Sequence, residues 1–224
     1  MAARAFVWLG GALFVSALLL CVWWYLFVIG EPQSFVSLSA LAADSALFSV
    51  FALHHSIFAR ESMKRRLGSI PPDLLRSVYV YVASLLLIAV CLAWRPIGGE
   101  VFSTHGVRSI AHIAVQLGGL WCIARAVARI DPLELAGIHA PARGEGLQTS
   151  GVYGLVRHPI YFGWVLAVFG TPHMTGDRLA FAAMTTAYLV AAVPLEERSL
   201  RRTFGDEYGR YALAVRWRMI PFIY

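Results

Sequence analysis

Six apolar stretches separated by polar knots divide the chain, at about 5–29, 35–59, 77–94, 108–128, 159–174 and 178–195. A helix rises about 1.5 Å per residue, so about 20 apolar residues cross a hydrocarbon core roughly 30 Å thick. The pattern predicts an all-α, multi-pass transmembrane helix bundle of five to six spans. The fifth stretch is short for a span, which leaves open a tilted pair or a hairpin that stops before the far face. Local signals set the ends of the elements. Glu31 and Pro32 make a turn, Pro71 and Pro72 interrupt helix, and Asp73 is placed to cap the third one. The run from Trp94 to Gly99 reads as a second turn. The stretch from Asp131 to Gly137 reads as a short interfacial helix with a glycine stop, and Arg143 to Gly151 as a flexible polar loop. Pro159 suits a first helical turn, so the fifth helix begins at or just after His158. The last span should run on to Phe204, stop at Gly205, and give way to an amphipathic stretch capped by Asp206.

Composition excludes a soluble domain. Hydrophobic residues make up 58% of 224 positions and the mean hydropathy is +0.64, leaving too little polar surface to cover a globule. The first stretch carries Arg4 before a run longer than the roughly 7–15 residues of a signal-peptide core, so it reads as a retained membrane helix. Cys21, Cys91 and Cys122 all lie in apolar stretches without CxxC spacing, and they read as small hydrophobes rather than as a disulfide framework or metal site. The chain divides into helices one to four (1–130) and a C-terminal part (131–224) within one integrated membrane domain.

The formal charge of +6 is unevenly distributed. Arg60, Lys64, Arg65, Arg66 and Arg76, then Arg129, Arg143 and Arg157, then six arginines from Arg198 to Arg218 fall on one side, against Arg95, Arg108 and Arg178 on the other. By the positive-inside rule the first side, with both termini, faces the cytoplasm, most simply across a prokaryotic cytoplasmic membrane. Lipid headgroups account for the basic surplus, and no aromatic-lined basic groove points to nucleic acid.

Two polar knots carry the candidate chemistry. The first, from Gly151 to Tyr161, reads GVYGLVRHPIY; the second is Glu196-Glu197. The apolar hairpin between them, 160–195, returns both to one membrane face. The helix opening at Pro159 beside Arg157 offers N–H groups and a positive dipole end to an anion. Tyr153 and Tyr161 offer ring faces to a cation or a base. Adjacent acids point about 100° apart on a helix of 3.6 residues per turn. Glu197 has i,i+4 spacing to Arg201 and reads as a surface pair, which leaves Glu196 as the inward carboxylate. An anion site, aromatic faces and a carboxylate suit S-adenosylmethionine, a zwitterion with a sulfonium and an adenosine. Gly118, Gly119, Gly163 and Gly170 read as sites of close helix packing. His54, His55 and Ser56, costly in lipid, face the bundle or its inner edge and are candidates to line a substrate entrance.

The GVYGLVRHPIY block, the Glu196-Glu197 pair followed by Arg-Ser-Leu, and the tail from Phe204 to Tyr211 (FGDEYGRY) together resemble the C-terminal signature of the isoprenylcysteine carboxyl methyltransferase superfamily of integral membrane enzymes. Upstream, His55-Ser56 with Ala59-Arg60, Arg76-Ser77 with Tyr79, Trp94-Arg95-Pro96, and Thr171-Pro172 with Met174-Thr175 resemble a narrower branch, the bacterial methanethiol S-methyltransferases. The resemblance implies a cytoplasmic-side cofactor pocket built by the C-terminal third. It implies contacts to S-adenosylmethionine from Glu145, Gly146, Leu147, Gln148, Tyr153, His158, Pro159, Ile160, Tyr161 and Glu196, with S-adenosylhomocysteine as product. In the prenylcysteine enzymes a substrate-binding arginine lies one turn before the first glutamate. Ala192 stands there in this chain, which favours a small or neutral acceptor.

Methyl transfer to sulfur needs positioning and an ionised acceptor, and a thiol of pKa about 8.5 needs only a modest downward shift. Arg157 and His158 are the candidate catalytic residues, and His54, His55, Ser56, Arg60 and Glu197 the candidate acceptor-binding ones. No metal is expected. The expected function is methylation of a small thiol such as methanethiol. The alternatives are a prenylcysteine or lipid acceptor, and more remotely a non-enzymatic or haem-binding bundle.

Overall fold

The computed structural model describes residues 2–58, 72–130 and 146–224, with Leu133, Ala136 and Ile138. The candidate site residues Arg60 and Glu145, and most of the short helix expected from Asp131 to Gly137, fall outside the described residues. The chain forms α1 (Ala2–Trp23), continued by a π-helical turn (Trp24–Val28), then α2 (Leu38–Phe58), α3 (Pro72–Ala93), β1 (Glu100–Ser103) and α4 (Val107–Val127). A 3₁₀ turn (Gly151–Gly154) leads into α5 (Pro159–Phe169), β2 (His173–Thr175), α6 (Gly176–Phe204) and α7 (Asp206–Ala214). The two short strands pair with each other. Among the described residues, five helices are long and apolar enough to cross a membrane: Arg4–Val28, Leu38–Phe58, Leu74–Ala93, Val107–Val127 and Gly176–Phe204. Large side chains such as Leu19, Leu92, Ile110 and Trp121 lie exposed on them. This is the inversion expected where lipid replaces water, and the protein is a multi-pass membrane protein.

The chain separates into two compact units, one of residues 1–100, 131–143 and 175–177, the other of 101–130, 144–174 and 178–224. In the first, α1 and α2 both pack on α3. Tyr81 stacks on Phe6 and donates its hydroxyl to the Phe6 carbonyl at 3.0 Å. The helix α3 starts at Pro72, one residue before the Asp73 expected at its cap; proline is tolerated there because a first-turn N–H has no partner to lose. The turn after α3 is held by two buried acids. Asp177 accepts the Trp94 indole N–H and the Ile97 and Gly98 backbone N–H groups at 2.8–2.9 Å, and Asp44 accepts the Arg95 N–H at 3.0 Å. Gly98 has a φ of +80°, and any side chain there would collide with the Phe35 carbonyl. The turn was expected; its carboxylate anchors were not.

In the second unit, α4 and α5 run antiparallel. Cys122 donates to the Pro159 carbonyl, Gln116 donates to the Ala167 carbonyl, and at the far end Thr104 donates both backbone N–H and hydroxyl to the Pro172 carbonyl. Eleven residues of α5 reach only about 16 Å. Beyond Gly170 the chain runs extended into β2, and pairing with β1 satisfies backbone groups that lipid would leave orphaned. The fifth stretch therefore lies along α4 as part helix and part strand. Trp164 on α5 donates to Thr185 on α6 at 3.0 Å, and α6 then runs to Phe204. Gly205 (φ +52°) ends it, and Asp206 lies in the first turn of α7, where its charge favours the dipole.

A Cβ on Gly119 would lie 2.5 Å from the Gly163 carbonyl oxygen, and one on Gly163 would lie 2.6 Å from that of Gly119, whereas Gly118 has open space. Gly119→Ala and Gly163→Ala are expected to lose roughly 1–3 kcal/mol, the usual cost of overpacking, while Gly118→Ala, inside α4 with open space, should lose nothing and gain up to about 1 kcal/mol of helix propensity. Melting temperatures of the three variants in detergent check this.

Candidate active site

The two knots meet within the second unit. Pro159 opens α5, and the preceding residues Arg157 and His158, outside regular structure, donate their backbone N–H groups to the carbonyls of Trp217 and Arg218 in the C-terminal tail at 3.0 and 2.8 Å. The tail is folded back by α7, whose Tyr208 and Tyr211 are buried with Val215 against Leu147, Leu200, Phe204 and Ala212. Tyr211 donates to the Tyr153 carbonyl at 2.7 Å. Leu147, one of the candidate cofactor contacts, packs against this tail.

The expectation for the two acids is reversed. Glu197 is the buried one, and it does not form a surface pair with Arg201. Its Oε1 lies 2.7 Å from both Nε and NH2 of Arg157, and its Oε2 lies 3.4 Å from Nε of Arg218. Arg201 instead lies over the Tyr208 ring, 5.3 Å from its centroid. The NH1 group of Arg157 donates to the carbonyls of Val215 at 2.7 Å and Arg216 at 2.9 Å, with Ala212 at 3.5 Å. The guanidinium is thus engaged by α6 and the tail, and it is not an open anion site. Burial pushes the Tyr208 hydroxyl up to about 12, with the Glu197 charge beside it acting in the same direction, and burial likewise raises Tyr211 and Tyr153.

Above this buried base sits a more open group. The side chain of Glu196 is 45% exposed; its Oε2 accepts the Tyr161 hydroxyl at 2.7 Å and lies 3.5 Å from His158 Nδ1. His158 stacks on Tyr161 with ring centroids 5.3 Å apart, and its Nε2, buried and without a hydrogen bond, lies 3.6 Å from Glu197 Oε1. Burial opposes charge on this imidazole, but the pull of the two nearby glutamates outweighs it, so its pKa is raised. A raised folded pKa contributes stability that is fully present below the unfolded value of about 6.5 and is lost as pH rises through the folded value. The melting temperature should therefore fall with pH above about 6.5 in the native protein, and a His158→Gln variant should lose that part of the dependence. A pH series of melts on both proteins tests it.

Of the remaining candidates, Gly146 and Gln148 lie in the irregular segment before the 3₁₀ turn, Gly146 exposed and Gln148 half-buried. Ile160 and Tyr161 form the first turn of α5. His54, His55 and Ser56 belong to the first unit, where the Tyr79 hydroxyl lies 2.6 Å from His55 Nδ1 and His54 stacks between Phe58 and Tyr79. Arg218 went unnoticed in the sequence because nothing distinguishes it from the other tail arginines.

Residues 107–207 match the family described as phospholipid methyltransferase. The methanethiol S-methyltransferase of Crocosphaera subtropica is 34% identical over 98% of this chain and 93% of its own length. The chain belongs to this family of membrane methyltransferases. Methanethiol S-methyltransferase 2 of Bradyrhizobium diazoefficiens is 36% identical over 82% of this chain and 73% of its own. Protein-S-isoprenylcysteine O-methyltransferase A of Arabidopsis thaliana is 37% identical over 35% and 41%. No solved structure matches. The family region of this methyltransferase contains both knots, while the tail from Tyr208 onward that locks Arg157 lies beyond it.

Proposed function

We propose that this methyltransferase moves the methyl group of S-adenosylmethionine to a small thiol of the methanethiol class, at the cytoplasmic face of a prokaryotic inner membrane and within residues 131–224. The likeness that runs along nearly the whole chain, rather than along the C-terminal third alone, carries the acceptor reading. Ala192, with no charge for a substrate carboxylate, agrees with it.

The donor set fits the cofactor. The half-exposed Glu196 carboxylate suits ribose hydroxyls or an ammonium, and the first-turn N–H groups of Ile160 and Tyr161 suit a carboxylate. Tyr153 and Tyr161 would flank the adenosyl sulfonium. When bound, this group supplies an activated methyl on sulfur. The chain's own part is orientation: Tyr161 and His158 hold Glu196, and Arg157 with Glu197 fixes the segment that carries His158 into α5. Arg157 is thus a positioning residue. His158, held toward its charged form between two acids, orients rather than removes the acceptor's proton. Incubating the purified protein with methyl-labelled S-adenosylmethionine and, separately, methanethiol, sulfide, a prenylcysteine or lipid extract tests the reading. Label in a volatile dialkyl sulfide is expected; label confined to a prenyl ester or to lipid overturns it.

A further inference from the structure

The first unit holds a cavity of about 310 Å³ that the methyl-transfer reading does not use, at the lower end of the roughly 300–1,000 Å³ of small-molecule sites. Trp23, Trp24, Trp94 and Asp177 line it, with the exposed Glu31 among its walls. Three features point to one kind of occupant. The π turn at Trp24–Val28 contributes Trp24 and Val28 to the wall, and such turns concentrate at functional sites because they cost helix stability. Trp24 and Trp94 meet at 73° with centroids 5.2 Å apart, making an aromatic corner. Asp177 is 3% exposed and, among the described residues, forms no ion pair; the lining contains no lysine, arginine or histidine. A buried negative charge behind indole rings attracts a cation. A carboxylate has about four acceptor positions, and Asp177 already receives three N–H groups. That leaves too few for a protonated amine, whose N–H groups need acceptors, but it suits a cation clothed in methyl groups.

We propose that this cavity binds a quaternary ammonium group, through the faces of its indoles and the charge of Asp177. The group is either the choline head of a lipid, reached from the ends of α1 and α3 where these tryptophans lie, or a free methylated ammonium. The test is a titration of the full-length protein in maltoside detergent with tetramethylammonium chloride, and with ammonium chloride at matched ionic strength, following melting temperature and tryptophan fluorescence. A saturable response to tetramethylammonium alone is expected, weakened at least tenfold in Trp23→Ala and Asp177→Asn. Trp23 is half exposed, so its variant decides the matter if Asp177→Asn fails to fold. An equal response to both salts, no saturable response, or one unchanged in Trp23→Ala overturns the proposal. Competition then separates the sources. Displacement by short-chain phosphatidylcholine and not by phosphatidylethanolamine assigns the lipid head, and displacement by choline alone assigns a soluble cation. The readout is binding, so it stands or falls independently of methyl transfer.

Discussion

Arg157→Ala is expected to lose roughly 3–5 kcal/mol of stability, the usual cost of removing one partner from a buried ion pair. The magnitude follows from what stays behind. Glu197, as buried as Arg157 itself, would keep only the longer contacts to Arg218 at 3.4 Å and His158 at 3.6 Å, and the carbonyls of Val215 and Arg216 would lose their donor. Arg157→Lys should recover little, because a lysine ammonium has three donors on one atom and the site needs a planar fork reaching a carboxylate on one side and carbonyls on the other. Since those carbonyls belong to the tail, the tail should loosen first. Limited proteolysis should cut after α7 in the variant while the native chain resists, and the melting temperature should fall in parallel. Activity would fall too, but only because α5 is no longer held. A variant with native melting behaviour and an intact tail would contradict this account of Arg157.

How far the sequence could be read depended on whether a signal was local. The membrane spans, the start of α5 at Pro159 and the end of α6 at Gly205 follow from apolar length, from proline's missing N–H and from glycine's access to positive φ. Each can be judged within a few residues. The meeting of the two knots also followed, since one hairpin joins them. The division of labour between Glu196 and Glu197 did not. Neighbouring acids on a helix diverge by about 100°, and which one turns inward is set by Arg157, Arg218 and the returning tail, up to 40 residues away. The i,i+4 spacing of Glu197 to Arg201 was a true local pattern that lost to that longer-range partner. Asp44 and Asp177 were equally silent, because a single acid in an apolar stretch does not announce the backbone N–H groups it will accept.

Glu196→Gln is expected to lower kcat/KM for methyl transfer at least about 100-fold, close to 2.7 kcal/mol at 1.36 kcal/mol per decade, while moving the melting temperature little. The side chain is half exposed and is held by the Tyr161 hydroxyl at 2.7 Å and, more loosely, by His158 Nδ1 at 3.5 Å. An amide of the same shape still accepts that hydrogen bond, so folding has little to lose. The charge is what disappears, and a carboxylate facing open space is the feature that suits a cofactor's hydroxyls or ammonium. Tyr161→Phe, which frees Glu196 without removing it, should cost nearer tenfold, mostly in KM for the cofactor, in keeping with about 1.4 kcal/mol for one hydrogen bond. Glu197→Gln, one residue away, should behave in the opposite way, with a marked fall in melting temperature because Arg157 and Arg218 lose their common counter-charge. Kinetics and melts on the three variants separate the roles. Full activity in Glu196→Gln would move the cofactor away from this carboxylate, and a large fall in its melting temperature would make it part of the buried network instead.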